Sequence, residues 1–138
     1  MPKSKLDRIL RVRTLQLGLV QADEARAQDR AASEATLKSR IAQLAASVAP
    51  TSAPVAGFSL VASAHFRERL QHSAEAAEGR LRAAVAVAER AVEATREARR
   101  DQSAIEKLIA RADADAVVKA IRALETAPAT RTNRHDPC

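Results

Sequence analysis

The stretch LQHSAEAAEGRLRAAVAVAERAVEATREARRDQSAIEKLI, residues 70–109, decides the fold. Small or apolar residues recur in it at alternating steps of four and three: Leu70, Ala74, Ala77, Leu81, Ala84, Ala88, Ala91, Thr95, Ala98, Gln102, Ile105 and Ile109. Ala112 and Ala116 continue the pattern. A mean step of about 3.5 residues keeps one stripe facing a partner helix only if the pair supercoils, so the stretch reads as half of a left-handed coiled coil. Its middle is nearly all alanine, which lets two backbones come close while burying little area per residue.

Prolines bound the helical segments. They stand at 2, 50, 54, 128 and 137, and a proline inside a helix costs about 3 kcal/mol. The proline-free spans therefore predict helix 1 over 4–49, with Ser4 as its N-cap, and helix 2 over 59–125, starting near Ser59 or Ser63. Between them, 50–58 has the turn chemistry of a linker, and the aperiodic tail 126–138 is expected to be disordered. Helix 1 shows the same step near the linker, through Leu37, Ile41, Leu44 and Val48, facing Phe66 and Leu70. Its beginning carries Leu6, Ile9, Leu10, Leu17 and Val20. Between Asp23 and Thr36 only alanines are apolar, and that stretch is expected opposite the alanine middle of helix 2, as the weakest part of the pair.

So short a linker makes the helices antiparallel neighbours. The predicted fold is all-α: two long helices forming an antiparallel coiled-coil hairpin, the second helix longer. Counting back from the linker places residue 49 opposite about residue 59 and residue 4 opposite about residue 104. Roughly twenty residues of helix 2 then overhang, in an object roughly 100 Å long at about 1.5 Å per residue. Gly18 and Gly79 fall mid-helix, as bends or points of close approach.

Composition turns the reading away from catalysis. Phe58 and Phe66 are the only aromatic residues, too few for an ordinary globular core of this size. Three unclustered glycines build no phosphate-cradling loop, and no Ser/His/Asp or Cys/His constellation stands out. No catalytic residue, cofactor or small-molecule substrate is expected. His65, Glu68, His72 and Glu75 share one face, but the histidines are seven apart, whereas a single-helix metal site sets two of them four apart. They read as a solvated polar stripe, and no metal site is expected. The lone cysteine, Cys138, rules out an internal disulfide framework. No apolar run spans a bilayer and no secretory signal is visible, which points to a cytoplasmic protein.

The net charge of +6 is unevenly placed. Residues 1–13 hold Lys3, Lys5, Arg8, Arg11 and Arg13 against Asp7, whereas residues 50–126 hold 12 basic and 11 acidic side chains. The start of helix 1 also bears a second apolar stripe, Val12, Leu15, Leu19 and Ala22, about 100–140° round from the first at about 100° per residue. One stripe suffices for a hairpin seam, so the second calls for a further partner or covers an offset helix 2. The overhang adds Ile105, Leu108, Ile109, Val117, Val118, Ile121 and Leu124, expected to lack a partner in helix 1. Such stripes mark a binding surface or self-association. Two alternatives stay open: a homodimeric scaffold joined through residues 105–124, and a basic nucleic-acid binder. The second is disfavoured by alternating charge on helix 2 and the lack of stacking aromatics.

The layout resembles the flagellar FliJ family of type III export proteins, with its injectisome YscO relatives. The resemblance rests on a first helix of about 45 residues opened by Lys5-Leu6-Asp7-Arg8-Ile9-Leu10, a short linker and a longer second helix. Within helix 2, Phe66-Arg67-Glu68-Arg69-Leu70 is similar to the family's F-x-x-x-L. Arg100-Asp101-Gln102-Ser103-Ala104-Ile105-Glu106-Lys107-Leu108 resembles its later charged stretch. The resemblance implies a coiled-coil stalk and general chaperone of the export apparatus, cytoplasmic and peripherally associated with the membrane. Its implied partners are the export ATPase hexamer, the cytoplasmic domain of the membrane export gate, and export chaperones. The ATPase-ring surface would comprise Leu6, Arg8, Arg11, Val12, Leu15, Leu19, Ile105, Ile109, Val117 and Ile121. The gate surface would map to Leu37, Ile41, Leu44, Val48, Phe66, Leu70 and Ser73.

Overall fold

The structure, a computed structural model, describes residues 5–48 and 57–128. Ser4, the linker up to residue 56, and the tail from residue 129 with Cys138 lie outside the described residues. Two helices account for the described chain: α1, Lys5–Ser47 (43 residues), and α2, Gly57–Thr126 (70 residues). At about 1.5 Å per residue they are about 65 and 105 Å long. They pack against each other as an antiparallel hairpin with the second helix longer. α1 closes two residues before the expected end. There the Val48 amide still donates to the Leu44 carbonyl at 3.2 Å and the Ser47 hydroxyl donates to the same oxygen at 2.8 Å. α2 already begins at Gly57.

The seam follows the heptad step in both helices. On α2 the less exposed positions along this step are Ser63, Arg67, Leu70, Ala74, Ala77, Leu81, Ala84, Ala88, Ala91, Thr95, Ala98, Gln102, Ile105 and Ile109, with Val92, Asp101 and Ser103 partly covered beside the row. Ala112 and Ala116 are exposed, so the seam stops before them. On α1 the matching row is Leu6, Leu10, Arg13, Leu17, Val20, Glu24, Ala27, Ala31, Glu34, Lys38 and Ile41. Leu37, Leu44, Ile9 and Phe66 lie outside it, each at least 40% exposed. The alternating step selects Lys38 over the neighbouring Leu37, because face, not hydrophobicity, decides what meets the partner.

Four contacts between the helices give the register. Arg13 pairs with Asp101 at 3.0 Å, the Gln102 amide donates to the Thr14 hydroxyl at 3.3 Å, Arg80 pairs with Glu34 at 3.2 Å, and Lys38 with Glu78 at 3.5 Å. Their residue numbers add to 114 or 116, so residue n of α1 lies level with residue 115 − n of α2. Leu6 is then level with Ile109, Leu10 with Ile105, and Ala31 with Ala84. Counting from the linker had placed the helices one heptad away from this. A seven-residue slip buries the same faces, so seam spacing alone does not choose between the two.

Burial and charge choose. In the slipped register Leu6 and Leu10 would face Gln102 and Ala98, leaving Ile105 and Ile109 in water. Arg13, Glu34 and Lys38 would meet Ala94, Ser73 and Gln71 in place of Asp101, Arg80 and Glu78. Burying each large aliphatic side chain contributes about 1.5–3 kcal/mol when complete, against about 0–1 kcal/mol for an exposed ion pair. The four aliphatic residues at the open end therefore carry most of the choice. One consequence corrects the expected overhang: Ile105 and Ile109 belong to the seam, and the free part of α2 is residues 110–126. At the opposite end, residues 57–66 of α2 run past the last turn of α1.

Ala77, Ala84 and Thr95 are the buried residues among those described, and Ala77 is 0% exposed. All three lie in the small-residue part of the seam. The Thr95 hydroxyl donates to the Ala91 carbonyl at 3.1 Å, so its burial leaves no orphan polar atom. Both mid-helix glycines sit in unbroken helix, and a Cβ at either would meet nothing within 4 Å. They are neither breaks nor close-approach points. Gly18→Ala and Gly79→Ala should each raise unfolding free energy by about 0.5–1 kcal/mol in urea melts followed by circular dichroism. Ile109→Ala should lower it by about 1–2 kcal/mol; a change within about 0.5 kcal/mol would instead favour the slipped register.

Candidate protein-binding surfaces

The residues assigned to the ATPase-ring surface separate into three groups. Leu6, Ile105 and Ile109 face inward and close the open end of the seam. Arg8, Arg11, Val12, Leu15 and Leu19 are exposed on α1. Val117 and Ile121 are exposed on α2 beyond the level of Lys5, the first described residue of α1. Val12, Leu15 and Leu19, with Ala22, fall at the outer positions of the α1 heptad, about 150° from the seam at about 100° per residue. Leu15 and Leu19 are 65% and 67% exposed, so offset packing of α2 does not cover them.

The arrangement on α1 inverts the usual distribution. Its seam contains Arg13, Glu24, Glu34 and Lys38, while its outer face carries Val12, Leu15 and Leu19. Each charged seam residue has a partner. Arg13 donates to Gln16 at 3.1 Å besides pairing with Asp101, Glu24 accepts from Gln28 at 3.1 Å, Glu34 accepts from Arg80, and Lys38 reaches Glu78. Long stems let these side chains cover neighbouring alanines while their heads reach solvent. Arg26 with Asp23 and Arg96 with Glu93 pair within one helix. Such exposed pairs contribute little to stability.

An open groove of about 360 Å³ lies between the helices, lined by Val20, Ala94 and Ala98 with Leu19, Arg13 and Asp101 among its other residues. A second, about 360 Å³, lies on α1 around Ile9 and Val12, between Arg8 and Arg13. Both open along the rod and suit an apolar side chain of a macromolecule better than an engulfed small molecule.

The gate set also divides. Ile41 and Leu70 are seam residues, as their spacing predicts, and Val48 is half-buried. Leu37, Leu44, Phe66 and Ser73 are exposed, and each precedes by one residue a position of the heptad step continued towards the linker, namely Lys38, Ala45, Arg67 and Ala74. In an antiparallel pair those flanking positions line the same edge, so these four share one side of the tip-proximal half. Sequence spacing alone did not separate this edge from the core.

His65 lies 3.8 Å from Glu68 and His72 lies 3.9 Å from Glu75, two separate exposed pairs. No group of three or more metal-ligating side chains gathers among the described residues. No helix among them is long and apolar enough to cross a membrane. No protein-family model, curated protein or solved structure matches the chain.

Because Leu15 and Leu19 are largely exposed and lie outside the seam, Leu15→Asp with Leu19→Asp should change unfolding free energy by no more than about 1 kcal/mol. Far-UV circular dichroism and urea melts check this.

Proposed function

We propose that the hairpin is a stalk and general chaperone of a flagellar-type export apparatus, cytoplasmic and only peripherally membrane-associated. The observation that carries this reading is the end of the rod where α1 begins. There Val12, Leu15 and Leu19 stand exposed on the outer face of α1 beside Arg8 and Arg11. A rod one helix pair wide with such an end is suited to entering the central opening of a ring, where apolar contacts would hold it and acidic lining would steer it. The long–short asymmetry of α1 and α2 and the resemblance to the FliJ family support the same reading.

On this proposal the partner at that end is the hexameric export ATPase. The edge carrying Leu37, Leu44, Phe66 and Ser73 meets the cytoplasmic domain of the export gate. Export chaperones would use the remaining flanks. The inward-facing Leu6, Ile105 and Ile109 act by holding the end in shape.

The cognate export ATPase should co-purify with the protein and turn over faster in its presence. Leu15→Asp with Leu19→Asp should weaken that binding at least about tenfold, which is 1.4 kcal/mol, while helicity stays intact. A wild-type protein that neither binds the hexamer nor raises its turnover ends the stalk reading.

A further inference from the structure

The free end of α2 carries an apolar stripe that is not the hairpin seam continued. Ala110, Ala114, Val117, Ile121 and Leu124 recur at steps of four, three, four and three, about 130° round the helix from Ile109, Ala112 and Ala116 at about 100° per residue. All are exposed, Leu124 to 77%. The step is again that of a coiled coil, and beyond Ala110, which lies level with Lys5, no residue of α1 reaches this stripe. The helix already exists here as the continuation of α2, so a partner need not nucleate it.

We propose that this stripe is a self-association surface, pairing antiparallel with the same stripe of a second copy about a two-fold axis at the level of Lys119. Size complementarity is one argument. In that register Val117 meets Ile121 of the second copy twice over, and Ala114 meets Leu124 twice over, small against large. Charge is the other argument. On one flank Arg111 falls beside Glu125 of the second copy at both ends, with Val118 against Val118 on the axis; on the other flank Ala120 meets Ala120. Sliding the copies one heptad towards each other would set Leu124 against Lys107 and leave Arg111 beside Val118; sliding them apart would leave Val117 and Arg111 beyond the end of the other helix. A parallel pair would set Ala114 on Ala114 and Leu124 on Leu124, losing the match of small against large, and would bring Arg111 to Glu106 instead of Glu125.

Length fits as well. Residue 112 lies level with residue 126 of the second copy, so the two-helix body of each hairpin begins where the helix of the other ends, and the bodies do not collide. The result is a longer rod with one hairpin body at either end. The contact involves about four helical turns per copy and falls at the small end of interface sizes, so a dissociation constant in the micromolar range, on the order of 10–100 μM, is expected. This inference does not rest on the export-stalk reading. The outer face of α1, on which that reading depends, is not part of the contact.

Sedimentation equilibrium of the full chain from about 1 to 500 μM, a range bracketing that constant, tests it. The mass should rise from 14.8 kDa towards twice that value. Ile121→Asp should hold the protein at the monomer mass with unchanged helicity. Arg111→Glu or Glu125→Arg alone should weaken association several-fold, and the two together should restore it. A wild-type chain that stays monomeric overturns the proposal and leaves the stripe to another protein. A dimer that survives Ile121→Asp overturns this surface as its site, and one indifferent to both charge reversals overturns the register. Because the contact occupies the same end of the rod, ring entry and dimerisation exclude each other in one molecule; ring binding measured below about 1 μM, where the chain is monomeric, bears on the stalk reading alone.

Discussion

The antiparallel register of α1 on α2 is the constraint from which the other features follow. A heptad seam is degenerate to slips of seven residues, since each slip presents the same faces. Here the degeneracy is lifted mainly at the open end of the seam. Leu6 and Leu10 lie level with Ile109 and Ile105, and a slip either way would set them against alanine or glutamine. The three ion pairs of Arg13, Glu34 and Lys38 add selectivity in the same direction. They are individually weak, but both one-heptad slips lose all three together, so their contribution is to discrimination more than to stability.

That register determines which apolar residues are left over. A seam built from Ala77, Ala84 and their neighbours, with charged side chains at four α1 positions, is narrow and buries little area per turn. It cannot cover a second stripe. Val12, Leu15 and Leu19 therefore stay in solvent on the back of α1, and the end of α2 projects with its own stripe turned away from the seam. Exposed aliphatic rows of this kind contribute nothing to the stability of an isolated hairpin and lower its solubility. Their placement at one end of the rod is the feature on which both proposals rest.

Much of this is legible in the spacing of residues 70–109, the prolines and the start of helix 1. The alternating step gave an all-α coiled coil, the prolines gave two helices with the second longer, and the position of Leu15 and Leu19 relative to Leu6 and Leu10 gave an outer stripe. Other features were not legible. Leu37 and Leu44 read as core because they are apolar, yet they sit one position off the row that includes Lys38. Ile105 and Ile109 read as unpartnered because the overhang was counted from the linker, and chain length between helices is a poor ruler for register. The glycines read as candidate bends, but a helix held by a partner along its length absorbs them.

The sequence by itself determined what is local or periodic: the helices, the faces they present, their antiparallel pairing and the basic start of α1. It did so because helix propensity, proline exclusion and a 3.5-residue step act within one chain segment at a time. Only the tertiary structure decided the register, and with it the length of the free end of α2 and the division of each candidate surface into seam and solvent-facing parts. Register is a sum over contacts between residues on average some sixty positions apart, in which a few aliphatic layers and three charge pairs outweigh the geometry of the connection.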